Sequence, residues 1–267
     1  MTEQHIKFEL MDDVGIITLD RPEARNALTP DMVTQLGEAI ERCQRPQVRA
    51  VLLTGTGNAF CSGADVKDFV DNLESGGPQG LSDHIRSLAD ELHSRVVLGL
   101  RRLDKPVVGG INGVAAGAGF SLSLGCDMRI AGEGARFLMA YANIGATADG
   151  GSTYLLPRLV GSGRAMEIYL ASQPMGAAMA LEMGLVNQVV ADDALQRHAM
   201  ETAVRLAQGP TTAYGRVKEL FNQSWDKSLE EQLAAETDAL SDTGLTADFQ
   251  EGIKAFTERR QARFQGK

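Results

Sequence analysis

Two stretches of the sequence carry residue types that can hold a negative charge on the backbone alone. The first is Gly57-Asn58-Ala59-Phe60-Cys61-Ser62-Gly63-Ala64-Asp65-Val66, the second Asn112-Gly113-Val114-Ala115-Ala116-Gly117-Ala118-Gly119-Phe120-Ser121. Each follows an apolar run that reads as a strand, and each has only small residues where the chain must turn into a helix. Small side chains let a ligand lie against the main chain, and the free N–H groups of a first helical turn point at negative charge. Two such groups on one oxygen make an oxyanion hole, where each donor contributes on the order of 3 kcal/mol in acyl-type chemistry. The alternative is that both are tight packing turns in a crowded core.

Other chemistries find less support. Thr54-Gly55-Thr56-Gly57 follows a strand as a dinucleotide fingerprint should, but Phe60 stands at the third glycine position. There is no GxxxxGK[ST] phosphate loop and no HExxH pair, and His5, His84, His93 and His198 are scattered and read as surface or core residues. Gly119-Phe120-Ser121-Leu122-Ser123 lacks the final glycine of a nucleophile elbow. No metal and no separate cofactor are expected.

Composition narrows the partners. With 26 Lys+Arg against 35 Asp+Glu the net charge is −9, without the basic footprint that nucleic acid requires. Glycine is abundant, 29 of 267 residues, and aromatics are only 5%, so the chain favours close backbone approach over large ring contacts. Cys43, Cys61 and Cys126 are widely spaced and form no CxxC pair, which reads as buried reduced thiols in a cytoplasmic protein. The N-terminal residues show no secretory leader pattern. Pro106 to Cys126 carries no charge and is long enough to span a bilayer. Its glycines, Asn112, Ser121 and Ser123 keep its apolar density low, so it reads as a buried strand–turn–helix, and no membrane partner is expected.

The elements that must position these turns follow from local pattern. Ile6–Leu10 and Val14–Leu19 read as a hairpin, and Asp20 to Leu28 as a polar loop. Thr29-Pro30-Asp31 reads as an N-cap with proline in the first turn, opening a helix with Met32, Leu36 and Ile40 on one face. Ala50–Thr54 is a buried strand. Residues 67–84 lose periodicity, and Ser75-Gly76-Gly77-Pro78-Gln79-Gly80 reads as a mobile loop. A helix over Leu81–Leu103 stops at Lys105-Pro106; strands are expected at Val107-Val108 and Met128–Ala131. Strand, glycine turn and helix alternate through 1–191, indicating an α/β core. From 192 to 267 only helices are expected, with Leu195, Ala199 and Leu206 on one face and Leu229, Leu233 and Leu240 on another, as an oligomerisation element or a lid. No repeat period is evident.

The sequence also resembles a known family. Arg21-Pro22-Glu23-Ala24-Arg25-Asn26-Ala27-Leu28, then Ala59 to Asp65, then Asn112 to Gly119 with Cys126-Asp127, are similar to the crotonase superfamily of enoyl-CoA hydratases and isomerases. Asp149-Gly150-Gly151-Ser152, Leu156-Pro157-Arg158-Leu159-Val160-Gly161, Gly184-Leu185-Val186 and Ala255-Phe256 extend the resemblance over essentially the whole chain. It implies an α/β spiral of ββα repeats with a helical C-terminal region that covers coenzyme A, trimers or dimers of trimers, and acyl-CoA thioesters as ligands. Carried over position by position, the N–H groups of Ala64 and Ala118 would hold the thioester oxygen, with Gly63 and Gly117 permitting the approach. Arg25, Ala27, Ser62, Asp65 and Val66 would line the coenzyme A path, and Phe256 and Arg259 would lie near its adenine, from the same or a neighbouring subunit.

Departures from the family pattern select the reaction. Its hydratases carry two glutamates that manage a water molecule; here those positions hold Ser121 and Tyr141, which the resemblance would place against the bound substrate. Asp149 stands instead in a glycine-rich turn, a position that resembles the single aspartate of certain family isomerases, including those of phenylacetate-type catabolism, and of a dehalogenase branch. One carboxylate suffices to take a proton from C2 of a 3-enoyl-CoA and return it at C4 while the oxyanion hole stabilises the enolate. The resemblance therefore points to a Δ3–Δ2 enoyl-CoA isomerase. The alternatives are a hydratase working with Asp149 alone and a catalytically inert acyl-CoA-binding subunit. Dehalogenation would need a supporting histidine and an aromatic pocket, which the scattered histidines do not suggest. Asp149 could also be no more than a helix N-cap.

Overall fold

The computed structural model of the chain describes residues 3–267. Two strands, β1 (Ile6–Met11) and β2 (Val14–Leu19), form the expected hairpin. Asp12 and Asp13 both take left-handed backbone at φ 50° and 62°, which is what a two-residue turn between twisted strands demands. Thr29 then caps α1 (Pro30–Arg42), its Oγ1 accepting from Met32 N at 3.2 Å. α1 buries Met32, Val33, Leu36 and Ile40.

From there the chain winds. β3 (Ala50–Gly55), β4 (Ala59–Cys61) and α2 (Val66–Glu91) make one turn of the spiral; α3 (Leu98–Arg102) leads to the next. That turn is β5 (Val107–Ile111), β6 (Val114–Ala116) and α4 (Ala118–Leu124), followed by β7 (Met128–Gly132) and β8 (Arg136–Leu138). Each turn gives its first strand to one sheet and its second to another. The larger sheet has the order β1-β2-β3-β5-β7-β10, with β10 being Gln188–Val190, and is parallel from β2 onward. The smaller is β4-β6-β8-β9, with β9 being Met175–Gly176. This is the ββα spiral that the resemblance implies. Its period escapes the sequence because α2 has 26 residues and α4 only seven.

Strand alternation assigns the core. Val51 and Leu53 of β3 join the main cluster with α1, while Ala50 and Leu52 face the other way. That second face is covered by α8 (Leu195–Ala207) through Leu195, Ala199, Ala203 and Ala207. Burial on both faces explains why the parallel strands read as unbroken apolar runs. Between β8 and β10 lie α5 (Ser152–Val160), α6 (Ser162–Ala171) and α7 (Ala177–Glu182). The chain ends in α9 (Thr211–Gln223), α10 (Leu229–Gly244) and α11 (Ala247–Glu258). Of the two faces expected beyond residue 192, the first packs inward, Leu195 and Ala199 buried and Leu206 half-buried, and the second does not: Leu229, Leu233 and Leu240 are exposed, as are Leu245, Ile253 and Phe256.

One expectation is corrected. Ser75 to Gly80, expected as a mobile loop, lies within α2, which also runs through the aperiodic stretch 67–84. Asp65 caps α2 by accepting from Lys67 N at 3.1 Å, and the helix breaks only at Gly77, φ 62°, before Pro78. The periodicity is faint because α2 buries little beyond Leu88, leaving Val66, Val70, Leu73 and Ile85 exposed; a helix without a strong inward face leaves no strong sequence pattern. The uncharged stretch from Pro106 to Cys126 is β5, β6 and α4, and among the described residues no helix is long and apolar enough to cross a membrane.

Candidate active site

The two glycine-rich turns occupy equivalent positions in successive turns of the spiral. Gly63-Ala64-Asp65 leads from β4 into α2, and Gly117-Ala118 leads from β6 into α4. Since β4 and β6 pair in parallel, with Ala59 opposite Val114 and Cys61 opposite Ala115, the two turns lie side by side. A Cβ at Gly63 would sit 3.0 Å from Ala116 O and 3.5 Å from Ala118 N. Gly117 takes φ 50° and ψ −123°, a backbone that side-chain-bearing residues avoid.

Ala64 is turned by a parallel bridge to Leu28. Leu28 N donates to Gly63 O at 2.7 Å and Asp65 N to Leu28 O at 2.9 Å. That pattern uses the groups on either side of Ala64 and directs its own N–H away from Leu28. Ala118 is the first residue of α4, where no intrahelical acceptor exists. Among the described residues neither N–H donates to a protein acceptor. Two adjacent free donors in turns of small residues can hold one anionic oxygen.

The 21–28 loop is stitched to this pair. Asn26, fully buried at φ 56°, donates from Nδ2 to Ala59 O at 2.8 Å and accepts Arg21 N on Oδ1 at 2.8 Å. Arg25 O accepts Ser62 N at 3.0 Å, and Ser62 Oγ lies 3.4 Å from Ala24 O. Ala27 is buried, while Arg25 and Val66 are exposed beside it. Besides capping α2, Asp65 pairs with Arg21 Nη1 at 2.6 Å. Burial alone would raise its carboxyl, but the bonds from Arg21 and Lys67 N and their charges outweigh it, holding Asp65 below the usual carboxylate range. Arg21, absent from the sequence-based site, is thus the anchor of this loop; it also donates to Ala27 O at 3.2 Å.

Asp149 lies one turn of α4 from Ala118. Ser121 Oγ donates to Asp149 O at 2.9 Å, and three residues of helix rise by about 4.5 Å. The positions read as missing glutamates converge on this aspartate. Tyr141 Oη donates to Asp149 Oδ1 at 2.5 Å and lies 2.9 Å from Ser121 Oγ. Burial first, then the charge of Asp149 and the hydrogen bond to it, push the Tyr141 phenol upward, so it remains a protonated donor. The N-cap alternative for Asp149 does not hold: α5 begins from Gly151 without a side-chain cap, and Asp149 contributes its carbonyl, not its carboxylate, to Ser152 N and Oγ at 3.1 and 2.7 Å.

His93, read from the sequence only as a surface or core residue, stands beside Asp149. His93 Nε2 accepts from Gly150 N at 3.1 Å and stands 3.5 Å from Asp149 Oδ2. Its signal was missing from the sequence because His93 and Asp149 are far apart in the chain and no spacing rule links them. The objection to dehalogenation that no histidine supports the aspartate therefore falls. Phe256 and Arg259 are not brought to this group. Phe256, 86% exposed, lines a groove of about 630 Å³ between α9, α10 and α11, and Arg259 ends α11 in left-handed backbone at φ 53°. Cys43, Cys61 and Cys126 are unpaired and buried, as expected.

With this geometry in view, the likeness to known proteins is decisive. The enoyl-CoA hydratase/isomerase family matches residues 9–267. The chain belongs to that family. It is 38% identical to a probable enoyl-CoA hydratase of Rhodobacter capsulatus over 267 residues, all of both chains. It is also 38% identical to the 1,2-epoxyphenylacetyl-CoA isomerase of Escherichia coli over 255 residues, 95% of each. A crystal structure from Mycobacterium abscessus, described as an enoyl-CoA hydratase/isomerase, superposes with a TM-score of 0.93 at 36% identity, covering 98% of this chain and 100% of that one. The family is one of enzymes, and its relatives carry hydratase and isomerase names alike.

Proposed function

We propose that this enoyl-CoA hydratase/isomerase family member is an isomerase, moving the double bond of a 3-enoyl-CoA to the 2 position. The observation that carries the reading is the environment of Asp149. It is the carboxylate of the site, and the two positions where a family hydratase holds glutamates are Ser121 and Tyr141, both hydrogen-bonded to it or to each other.

In this reading the thioester oxygen lies between the N–H groups of Ala64 and Ala118. Asp149 takes a proton from C2, and the electron pair of that C–H bond delocalises into the thioester as an enolate. Electron density returns through C2=C3 as Asp149 delivers the same proton to C4. The double bond has moved, no atom is gained or lost, and Asp149 is restored. Tyr141 holds Oδ1, which leaves Oδ2 as the oxygen free to carry the proton. Arg25, Ala27, Ser62, Gly63, Asp65, Val66 and Gly117 frame the coenzyme A entrance, and no cofactor beyond the coenzyme A of the substrate is called for. Asp149→Asn is the test. It should lower kcat on a 3-enoyl-CoA by about 10²–10⁴-fold, the usual contribution of a positioned base, with KM little changed; full turnover in the variant sinks the reading.

Hydration is the second reading, favoured by the 34% exposure of the Asp149 side chain, which leaves room for a water molecule. Water addition to crotonyl-CoA at rates exceeding isomerisation would establish it. Release of halide from a 4-halobenzoyl-CoA would instead point to Asp149 as a nucleophile. Thioester binding without solvent deuterium entering any enoyl-CoA would leave an inert acyl-CoA-binding subunit.

Phe256 and the exposed apolar face of α10 and α11 would be covered in a homotrimer or dimer of trimers, where Phe256 and Arg259 approach coenzyme A bound to a neighbour. Light scattering should show a trimer or hexamer, and Leu240→Glu should dissociate it. A monomeric wild-type chain excludes this arrangement.

A further inference from the structure

His93 is delivered to the site by an unusual backbone. Between α2 and α3 the chain takes a π-helical turn, Leu92–Val97. Such turns are rarer and less favourable than plain helix and recur at functional sites. This one lays two side chains against the bend that carries Asp149. Val97 Cγ1 lies 3.2 Å from where a Cβ on Gly151 would stand, and His93 Nε2 receives the N–H of Gly150 at 3.1 Å.

The second contact settles which nitrogen carries the proton in this geometry. A backbone N–H is a donor at any ordinary pH, so Nε2 must be the bare, accepting nitrogen and the ring proton sits on Nδ1. The same Nε2 is 3.5 Å from Asp149 Oδ2. One nitrogen cannot serve both neighbours. Unprotonated, it accepts from Gly150. Protonated, it must abandon that bond and pair with the Asp149 carboxylate. Asp149 faces it, with Tyr141 behind Asp149. Along its own segment lie Asp90, Glu91 and Arg95, and Arg95 is tied to Glu91 and to Glu41 on α1. α4, on the far side, presents Ser121 and no ionisable side chain.

We infer that His93 is a positioning residue for Asp149: as a neutral imidazole it holds Gly150 N–H and with it the bend, and its protonation ties up the carboxylate. The inference rests on the isomerase reading for its kinetic consequence, but the hydrogen bond itself can be observed without turnover.

The experiment uses the intact protein labelled with ¹⁵N-histidine. The His93 resonances are assigned by their loss in His93→Gln, and the tautomer is read by NMR at pH 8. The expected state is Nδ1–H with Nε2 bare; an Nε2–H tautomer overturns the inference whatever the activity. kcat/KM on a 3-enoyl-CoA is then followed against pH. In the wild type it should fall on the acid side at the pH where His93 protonates by NMR. His93→Gln, whose Oε1 can still accept from Gly150 but cannot titrate in this range, should lose less than about tenfold at pH 8 and lack that acid fall. His93→Phe, which leaves the N–H without an acceptor, should lose about 10–100-fold in kcat, as an orphaned buried donor implies. An unchanged acid fall in His93→Gln, or a fully active His93→Phe, overturns the inference. A bare Nε2 in an enzyme that does not turn over any 3-enoyl-CoA would instead refute the isomerase reading and leave the His93–Gly150 bond standing.

Discussion

Tyr141 donates its phenolic hydrogen to Asp149 Oδ1 across 2.5 Å, and this bond orients the carboxylate around which the site is arranged. Tyr141→Phe should lower kcat on a 3-enoyl-CoA by about 10–100-fold, since a hydrogen bond to a charged group is worth about 1.5–3 kcal/mol and about 1.4 kcal/mol is tenfold. KM should move less than kcat, because the hydroxyl is committed to Asp149 Oδ1. Steady-state kinetics would show it; a wild-type kcat in Tyr141→Phe means that this bond does not position the base.

Gly150 tests the rigidity of the bend. It takes φ 59°, and a Cβ there would lie 2.7 Å from Ser121 Cβ. Gly150→Ala should cost about 2–4 kcal/mol, combining left-handed strain with overpacking. Gly145→Ala is the matched control: φ is 70° but nothing lies within 4 Å, so only about 1–2 kcal/mol of strain applies. Equal denaturation midpoints for the two variants would refute the crowding at Ser121.

The Arg21–Asp65 pair should leave a mark on acid stability. Asp65 ionises more readily folded than unfolded, so it contributes stability that is fully present above the unfolded carboxylate value of about 3.9. That contribution is lost as pH falls through the lower, folded value. Arg21→Met removes the pairing and should flatten the stability–pH curve below about pH 4. At neutral pH it should also destabilise by a few kcal/mol, because Asp65 is left buried without its partner. Urea unfolding from pH 3 to 7 measures both; parallel curves for wild type and variant contradict the assignment.

The three thiols should be silent in the folded protein. Cys43, Cys61 and Cys126 are at most 1% exposed, and burial pushes each thiol up to about 12. The thiolate is the reactive form, so Ellman's reagent should titrate none of them until denaturant is added, then all three. Fast labelling of the native protein would show that the strands around β4 or the α4–β7 turn open readily.

Much of the site was legible because its parts are local. A glycine between a strand and a helix, small residues after it, and an N-cap at Thr29 all act within a few residues, so the two glycine-rich turns were legible as local pattern, and the family resemblance then singled out Ala64, Ala118 and the loop from Arg21 to Leu28 within them. Asp149 was singled out by the resemblance, as the single aspartate of certain family isomerases, where Ser121 and Tyr141 replace the two glutamates. Those residues and the chain's family resemblance were determined by sequence alone. Tertiary structure decided what they do to one another. The pairing of β4 with β6 sets Ala64 beside Ala118, α4 carries Ser121 to Asp149, and the π-helical turn brings His93 to Gly150. Arg21 and His93 escaped the sequence because their partners lie far along the chain, where no helical or strand period can register them. α2 escaped for the opposite reason: with almost no inward face to bury, it left no period in the residues that form it.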